Sequence, residues 1–514
     1  MVEATNQSGK VSWFGLVLVI ALGVWVSGSI ANIWHWGYLH ADEAVQWSLA
    51  KELSEGTPYS THQDKFHGPT LATALLISAK VTGTAPMDMR EDYLRSVVSI
   101  FLGLMAAAAL ILPGVGKGPR YVTAAFILLT GGCTPFRYYF VQEMLLVCGF
   151  VWGVALWMRA EGSAPTSRWW LLSGAAFGFA LACKVTAAAY LFLFIVALWL
   201  LRRFVPDRRW LRFGFGLVAS WALFQSVGFT DLDGLRTWWL QLARSLGVAS
   251  GHSEDTLYAE SLEPWGWAAT WLAIFALGRS DFSLARWRVR HEADLPCLVA
   301  LLVFLFHLAL PYKTPWLLLL VFSLPLALAL PYLLIRGVGR MSTLALGVII
   351  VGSLATRIPW LLLLVFLLPL VLVLPYLLVV GVGRMSALAL GLIVVGGLAA
   401  GPLSSHSRTS ELGSFNESVE VMSKAYGPKF YVAVEGGHYW PLPYYLRRHP
   451  VGYGDFPQAA KAPLRLIPAN DDSRPFVPGY VALGPLFLRS DQSDRYWVLV
   501  AKGYETRFAT YKSP

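Results

Sequence analysis

Glu143-Met-Leu-Leu-Val-Cys-Gly-Phe-Val-Trp-Gly-Val-Ala-Leu-Trp-Met-Arg159 decides the architecture. No side chain between its two end charges is ionised at neutral pH, and most are apolar. Read as a helix from 141 to 159, rising about 1.5 Å per residue, it nearly crosses the ~30 Å hydrocarbon layer of a bilayer. Runs of the same kind recur outward in both directions, from Val11 to Ala400, and stop after Gly401. We place spanning helices near 12–34, 94–113, 120–134, 141–159, 169–184, 185–202, 211–229, 264–278, 296–311, 316–335, 341–356, 359–380 and 385–401. The expected fold is therefore an all-α polytopic membrane domain of about 13 helices over residues 1–402. A small soluble α/β domain over 403–514 follows it.

Composition agrees. Of 514 residues, 56% are hydrophobic and 14% charged, against roughly a quarter charged in soluble proteins. The 22 Trp and 21 Tyr suit the membrane–water interface, where a ring that is half apolar and half polar is at home. The formal net charge of +10 does not point to nucleic acid, because the Lys and Arg sit in short connectors between apolar runs. The four cysteines, Cys133, Cys148, Cys183 and Cys297, all fall in apolar runs and show neither a disulfide framework nor zinc-ligand spacing. The run 11–34 is long and lacks a small-residue cleavage site, so it reads as a retained first helix.

The connectors give orientation. With the N-terminus inside, Lys117–Arg120, Arg159–Arg168, Arg202–Arg212, Arg279–Arg290, Arg336–Arg340 and the Gly-Val-Gly-Arg before Met385 are all inside, and each carries Lys or Arg. Outer loop one spans 35–93 and outer loop two 230–263, and the tail domain lies outside. Thr70–Val81 is apolar on one side and short, as expected of a helix at the outer interface. Pro315-Trp316 recurs at Pro359-Trp360, and Arg340-Met341-Ser342 at Arg384-Met385-Ser386. This is a tandem duplication of two helices over about 314–401, and it leaves the orientation of later segments unchanged. In the tail, Lys429–Glu435 and Tyr496–Ala501 read as buried strands and Asn416–Tyr426 as a helix.

Chemistry concentrates in outer loop one: His40-Ala-Asp42-Glu43-Ala-Val-Gln-Trp47, then His62-Gln-Asp-Lys-Phe-His67-Gly68-Pro69. A carboxylate outside a membrane can deprotonate an acceptor hydroxyl or amine, or hold a cation. It can equally cap a helix in a solvated loop. Lys184 lies between two apolar runs, where an ionised group usually faces a protein interior or a wet cavity. Lys313, after Tyr312, ends one run, and is either a phosphate ligand or a snorkelling interface lysine. Arg95 orients the second helix or pairs with a first-loop acid, and Arg137 is comparable. His67, in a tight-turn context, binds a sugar hydroxyl or phosphate, or stabilises the loop. His252, Trp238, Trp239 and Tyr258 belong to outer loop two, as sugar-stacking groups or as anchors. No Walker A, dinucleotide or zinc-protease motif is present, which argues against nucleotide energy and nucleotide-sugar donors.

Asp42-Glu43-Ala-Val followed by Phe66-His67-Gly68-Pro69-Thr70-Leu71 resembles the first-loop signature of GT-C glycosyltransferases. These membrane enzymes use polyprenyl-phosphate-linked sugars and include the protein O-mannosyltransferases and the aminoarabinose transferase of lipid A. Within that superfamily the chain looks most similar to the prokaryotic flippase-activity-associated proteins, through Tyr312-Lys-Thr-Pro-Trp316, Phe229-Thr-Asp231 and Trp440-Pro-Leu-Pro-Tyr-Tyr-Leu-Arg447. The resemblance implies Asp42 as general base or acceptor-orienting group, Glu43 as its neighbouring acid, and Glu143 as the second acidic position. It implies Lys184 near the lipid phosphate. Glu143 stands where many relatives have Asp, which leaves use of a divalent metal, Mg or Mn, open.

The expected partners are a polyprenyl-phosphate-linked sugar donor, membrane lipids, and a lipid, glycan or protein acceptor. The location implied is the cytoplasmic membrane of a prokaryote. Loops one and two are expected to close over the sugar, and the tail to bind the acceptor or pack on the membrane domain. The rival is a flippase, or flippase partner, for a lipid-linked glycan. Inverted repeats would favour it, whereas the repeat found is direct. A third reading is a scaffold that has lost catalysis.

Overall fold

A computed structural model describes residues 39–62, 67–130, 139–201, 207–248, 294–309, 410–437, 439–454, 458–469, 473–488 and 495–508, with a few isolated positions besides. The expected helices at 12–34, 264–278, 341–356, 359–380 and 385–401, nearly all of 316–335, and the duplication lie outside the described residues, as do Arg137, His252, Tyr312 and Lys313.

The other apolar runs are helices. They are α3 (Glu91–Leu110), α4 (Lys117–Thr130), α5 (Glu143–Glu161), α6 (Arg168–Cys183), α7 (Ala187–Leu200), α8 (Arg208–Gln225) and α10 (Asp294–Ala309). Of these, α3 and α5 are long and apolar enough to cross a membrane by length and composition. Helix α5 is the hub. Its side chains are almost all buried on every face, as befits a central helix surrounded by others. Near its end Trp157 sits edge-on to Trp170 at 4.8 Å and to Phe194 at 5.3 Å, drawing α6 and α7 onto it.

Helices α6 and α8 approach through glycine. A Cβ on Gly174, Gly178 or Gly216 would collide with the facing backbone carbonyl of Phe213, Leu217 or Leu171. Small residues at this spacing let helix backbones touch, which is how packing is gained where lipid removes the hydrophobic drive. On the outside, Phe192, Trp199, Leu211 and Phe215 are each more than 60% exposed. Such an apolar band would be a liability in water and suits a hydrocarbon surround.

Two helices lie in the loops. Helix α1 (Ala41–Ser54) follows directly on His40, and α2 (Thr70–Thr82) follows Pro69. Helix α2 buries Leu71, Ala72, Leu75 and Ala79, while Ile77 and Val81, apolar as well, are exposed on its other side. In loop two, α9 (Asp233–Val248) buries Trp238 and exposes Trp239 and Leu240.

The tail carries a five-stranded sheet of order β2-β1-β3-β5-β4. Its strands are β1 (Val432–Val434), β2 (Val451–Tyr453), β3 (Leu464–Pro468), β4 (Tyr480–Phe487) and β5 (Arg495–Ala501). β2, β1 and β3 run parallel, while β5 pairs antiparallel with both β3 and β4. Central β1 is buried throughout, and so reads as an unbroken apolar triplet. Helix α11 (Ser410–Tyr426) buries Leu412, Phe415, Val419 and Met422, one stripe at helical spacing. A short helix, α12 (Leu442–Tyr445), leaves the sheet and packs its Tyr444 ring against Trp47 of α1. The start of α5, the end of α6, loop one and α12 thereby gather at one end of the bundle.

Candidate active site

Asp42 and Glu43 are neighbours in sequence but not in environment. Both lie in the first turn of α1, and successive helical residues point about 100° apart. Glu43 turns inward and is 0% exposed. Its carboxylate accepts from Arg95 Nε at 2.9 Å and Nη2 at 2.8 Å, from Phe140 N at 2.8 Å and from His40 N at 2.8 Å. Burial opposes its charge, but the Arg95 guanidinium and these donors outweigh burial and hold Glu43 below the usual carboxylate range. So enclosed, the carboxylate anchors α1 to α3 and to the connector before α5.

Asp42 turns outward. Its side chain is 36% exposed, and His40 Nδ1 lies 4.0 Å from it. That nitrogen accepts the Asp42 backbone N–H at 3.2 Å. A ring nitrogen that accepts carries no proton, so the contact is not an ion pair. His40 Nδ1 and the Glu43 side chain together form a reciprocal cap on α1.

Glu143 opens α5, and Lys184 follows the last residue of α6. Lys184 Nζ lies 2.5 Å from Glu143 Oε1, with side chains 14% and 0% exposed. Glu143 Oε2 is buried and has no side-chain hydrogen-bond donor among the described residues. The turn His67-Gly68-Pro69-Thr70 is laid onto this pair. Gly68 N donates to Cys183 O at 2.9 Å. A Cβ on Gly68 would run into the Ala182 carbonyl and sit 3.0 Å from Cys183 O, so only glycine fits. His67 is near enough to Glu143 to act on it electrostatically.

Gln142 ties the pieces together, and sequence reasoning passed over it. Its Nε2 donates to Gln46 Oε1 at 3.0 Å and to the Gly68 carbonyl, and its Oε1 accepts from Thr70 Oγ1 at 2.9 Å. One amide thus links α1, the His67 turn and the start of α5. No charge marks such a residue, and its position beside Glu143 was the only available signal.

Loop two is fastened to loop one. Asp231 accepts from Ser60 N at 2.7 Å and Ser60 Oγ at 3.0 Å. Gln241 Nε2 donates to Tyr59 Oη at 2.5 Å and to His67 O at 2.8 Å, and Tyr59 Oη donates to the same carbonyl at 2.8 Å. Trp238 Nε1 reaches Leu181 O at 2.9 Å, so it anchors α9 with a buried ring. Trp239 is the exposed aromatic of that pair.

Asp42, Glu43, Glu143, Lys184, His67 and Arg95 are thus gathered at one end of the bundle. Among the described residues no group of three or more His, Cys, Asp or Glu is placed to hold a metal ion. Of the described carboxylates here, Glu43 is committed to Arg95 and Glu143 to Lys184. What these side chains can do is take up a proton at Asp42 and offer a cation at Lys184.

No family model matches the sequence, and no curated protein does. Solved structures do match. ArnT from Cupriavidus metallidurans in the apo state aligns with TM-score 0.64 at 15% identity, covering 98% of this chain and 99% of that one. The chain has the GT-C fold. ArnT from the same organism bound to undecaprenyl phosphate aligns with TM-score 0.61 at 16% identity, over 98% of this chain and 100% of the other. The narrower likeness of this chain to the flippase-activity-associated group rests on its motifs alone.

Proposed function

We propose that the protein is a membrane glycosyltransferase that takes a sugar from a polyprenyl-phosphate carrier. The observation that carries this reading is the division of labour between the acids. Glu43 and Glu143 are buried and charge-paired, while Asp42 alone stands outward on a rigid helix start beside them. ArnT of the same fold has been solved with undecaprenyl phosphate bound, which supports a lipid-phosphate donor here.

In the reaction, the acceptor hydroxyl or amine gives its proton to Asp42. Its oxygen or nitrogen forms a bond to the anomeric carbon, the bond from that carbon to the phosphate oxygen breaks, and polyprenyl phosphate leaves. The Lys184 ammonium, held in place by Glu143, stabilises charge building on the leaving phosphate. Lys313, Tyr312 and Arg137 are proposed to add to that phosphate site, His67 to face the sugar, and His252 to line it from loop two. Arg95 acts through Glu43. We place the reaction on the outer face of a prokaryotic cytoplasmic membrane, with about 13 spanning helices, the N-terminus inside and residues 403–514 outside.

The test is release of free polyprenyl phosphate from a panel of polyprenyl-phosphate sugars by protein in liposomes, with envelope extract as acceptor. Wild type should release it and Asp42→Asn should not, at unchanged thermal stability. Absence of release, together with movement of a lipid-linked glycan across the bilayer, would replace this reading by the flippase one.

A further inference from the structure

The start of α1 is held from 406 residues away. A helix start leaves backbone N–H groups without intrahelical partners, and a buried N–H needs an acceptor. Glu43 takes the His40 N–H at 2.8 Å and His40 takes the Asp42 N–H at 3.2 Å. The Leu39 N–H lies one residue before that cap, on a residue only 2% exposed. Its acceptor is Tyr445 Oη, in the tail domain, at 2.6 Å.

The hydroxyl is held there by a clasp. Tyr444 Oη donates to Met89 O at 3.0 Å, and Arg447 donates to Met87 O at 3.0 Å and to Met89 O at 3.2 Å. The Arg447 guanidinium covers the Tyr444 ring at 4.0 Å, and that ring meets Trp47 of α1 edge-on at 5.2 Å. Tyr444 and Tyr445 are 1% and 6% exposed. Burial keeps the Tyr445 phenol well above its ordinary pKa, so it stays a neutral hydroxyl.

We propose that Tyr445 is a positioning residue for Asp42: by fixing the Leu39 amide, the tail domain sets where the outward carboxylate stands. The inference rests on the reading of Asp42 as base. The ring already supplies the packing, and the hydroxyl supplies the registration of the turn. Losing the hydroxyl frees the turn three residues before Asp42 without unseating the domain, because Tyr444 and Arg447 still grip Met87 and Met89.

Two measurements on the full chain in lipid nanodiscs test this. In the polyprenyl phosphate release assay, Tyr445→Phe should lower kcat about tenfold, the factor that corresponds to one buried hydrogen bond, while the donor KM stays within a factor of about two. The control is Tyr480→Phe, which removes a hydroxyl bonded to Ala462 O within the tail sheet and should leave both constants unchanged. A kcat for Tyr445→Phe equal to wild type overturns the proposal, as does an equal fall in both variants. Amide hydrogen exchange over 39–43 is the second measurement and needs no turnover. Tyr445→Phe should accelerate exchange there at least tenfold and leave the α3 amides unchanged. Unchanged exchange at 39–43 overturns the proposal even if the enzyme is active. If wild type releases nothing while exchange responds, the base assignment fails and the coupling stands.

Discussion

Replacing Arg95 by Met would strand a charge. Glu43 is 0% exposed, and Arg95 is the cation paired with it, through two nitrogens at 2.9 and 2.8 Å. Breaking one partner of a buried pair costs about 3–5 kcal/mol, because the other charge is left without compensation. Glu43→Leu strands Arg95 by the same argument, so simple addition puts the double variant at about 6–10 kcal/mol. The structure predicts much less. With both charges gone, what remains is two amides without their acceptor, Phe140 N buried and His40 N half-buried, at about 1–3 kcal/mol each at most. The double variant should therefore lose at most about 2–6 kcal/mol, and the double-mutant cycle should show coupling of several kcal/mol. Denaturation by SDS from mixed micelles, followed by tryptophan fluorescence, measures all four proteins. Acid adds a second check. Because Glu43 titrates below its unfolded value, its contribution is complete above that value and is lost as pH falls through the folded one. Stability of wild type should be flat from neutral pH into mild acid and fall only below the usual carboxylate range, and this fall should shrink in the double variant. Additive single effects, or a cost under about 1 kcal/mol for Arg95→Met, the range of an exposed pair, would refute the reasoning.

Gly68→Ala should push the His67 turn off the end of α6, with loss of the Cys183 bond and overpacking together costing about 2–4 kcal/mol, and release of polyprenyl phosphate should fall sharply. Retention of both stability and turnover would show that the turn is not held as described. Lys184→Met should destabilise by about 3–5 kcal/mol because Glu143 is left buried and unpaired. Adding Glu143→Leu should restore stability, and if Lys184 serves the phosphate, turnover should stay lost. Asp231→Ala removes the acceptor of Ser60 N and Oγ and should cost about 1–3 kcal/mol, read in the same denaturation assay. It should also raise the KM for donor, as loop two loosens from loop one.

The membrane-domain helices were legible because apolar length is a property of one stretch of chain. Each run from 94 to 229 and the run at 296–311 became a helix within a few residues of its expected ends. Helices α1 and α9 were read as loop, since neither has the unbroken apolarity that marks a span. Their signal is amphipathic: Leu235, Trp238 and Leu242 of α9 recur at helical spacing, and His40 with Glu43 three residues on is a capping pattern. The site was legible in its residue types but not in its directions. Adjacent Asp42 and Glu43 have the same chemistry on paper, and only the packing of α1 against Arg95 separates them. Gln142, Gln241 and Tyr59 escaped notice because neutral hydrogen-bonding side chains acquire meaning only from partners that are distant in sequence.

The fastening of loop two to loop one limits how anything can enter. Tyr59, Ser60 and His67 on one side and Asp231 and Gln241 on the other form a single hydrogen-bonded piece, itself seated on Cys183. Movement of one loop away from the other would have to break that piece. The described parts of the two loops must instead travel as one slab. Access to Asp42 is then governed by movement of that joined piece, not by its parting at the contact between Ser60 and Asp231.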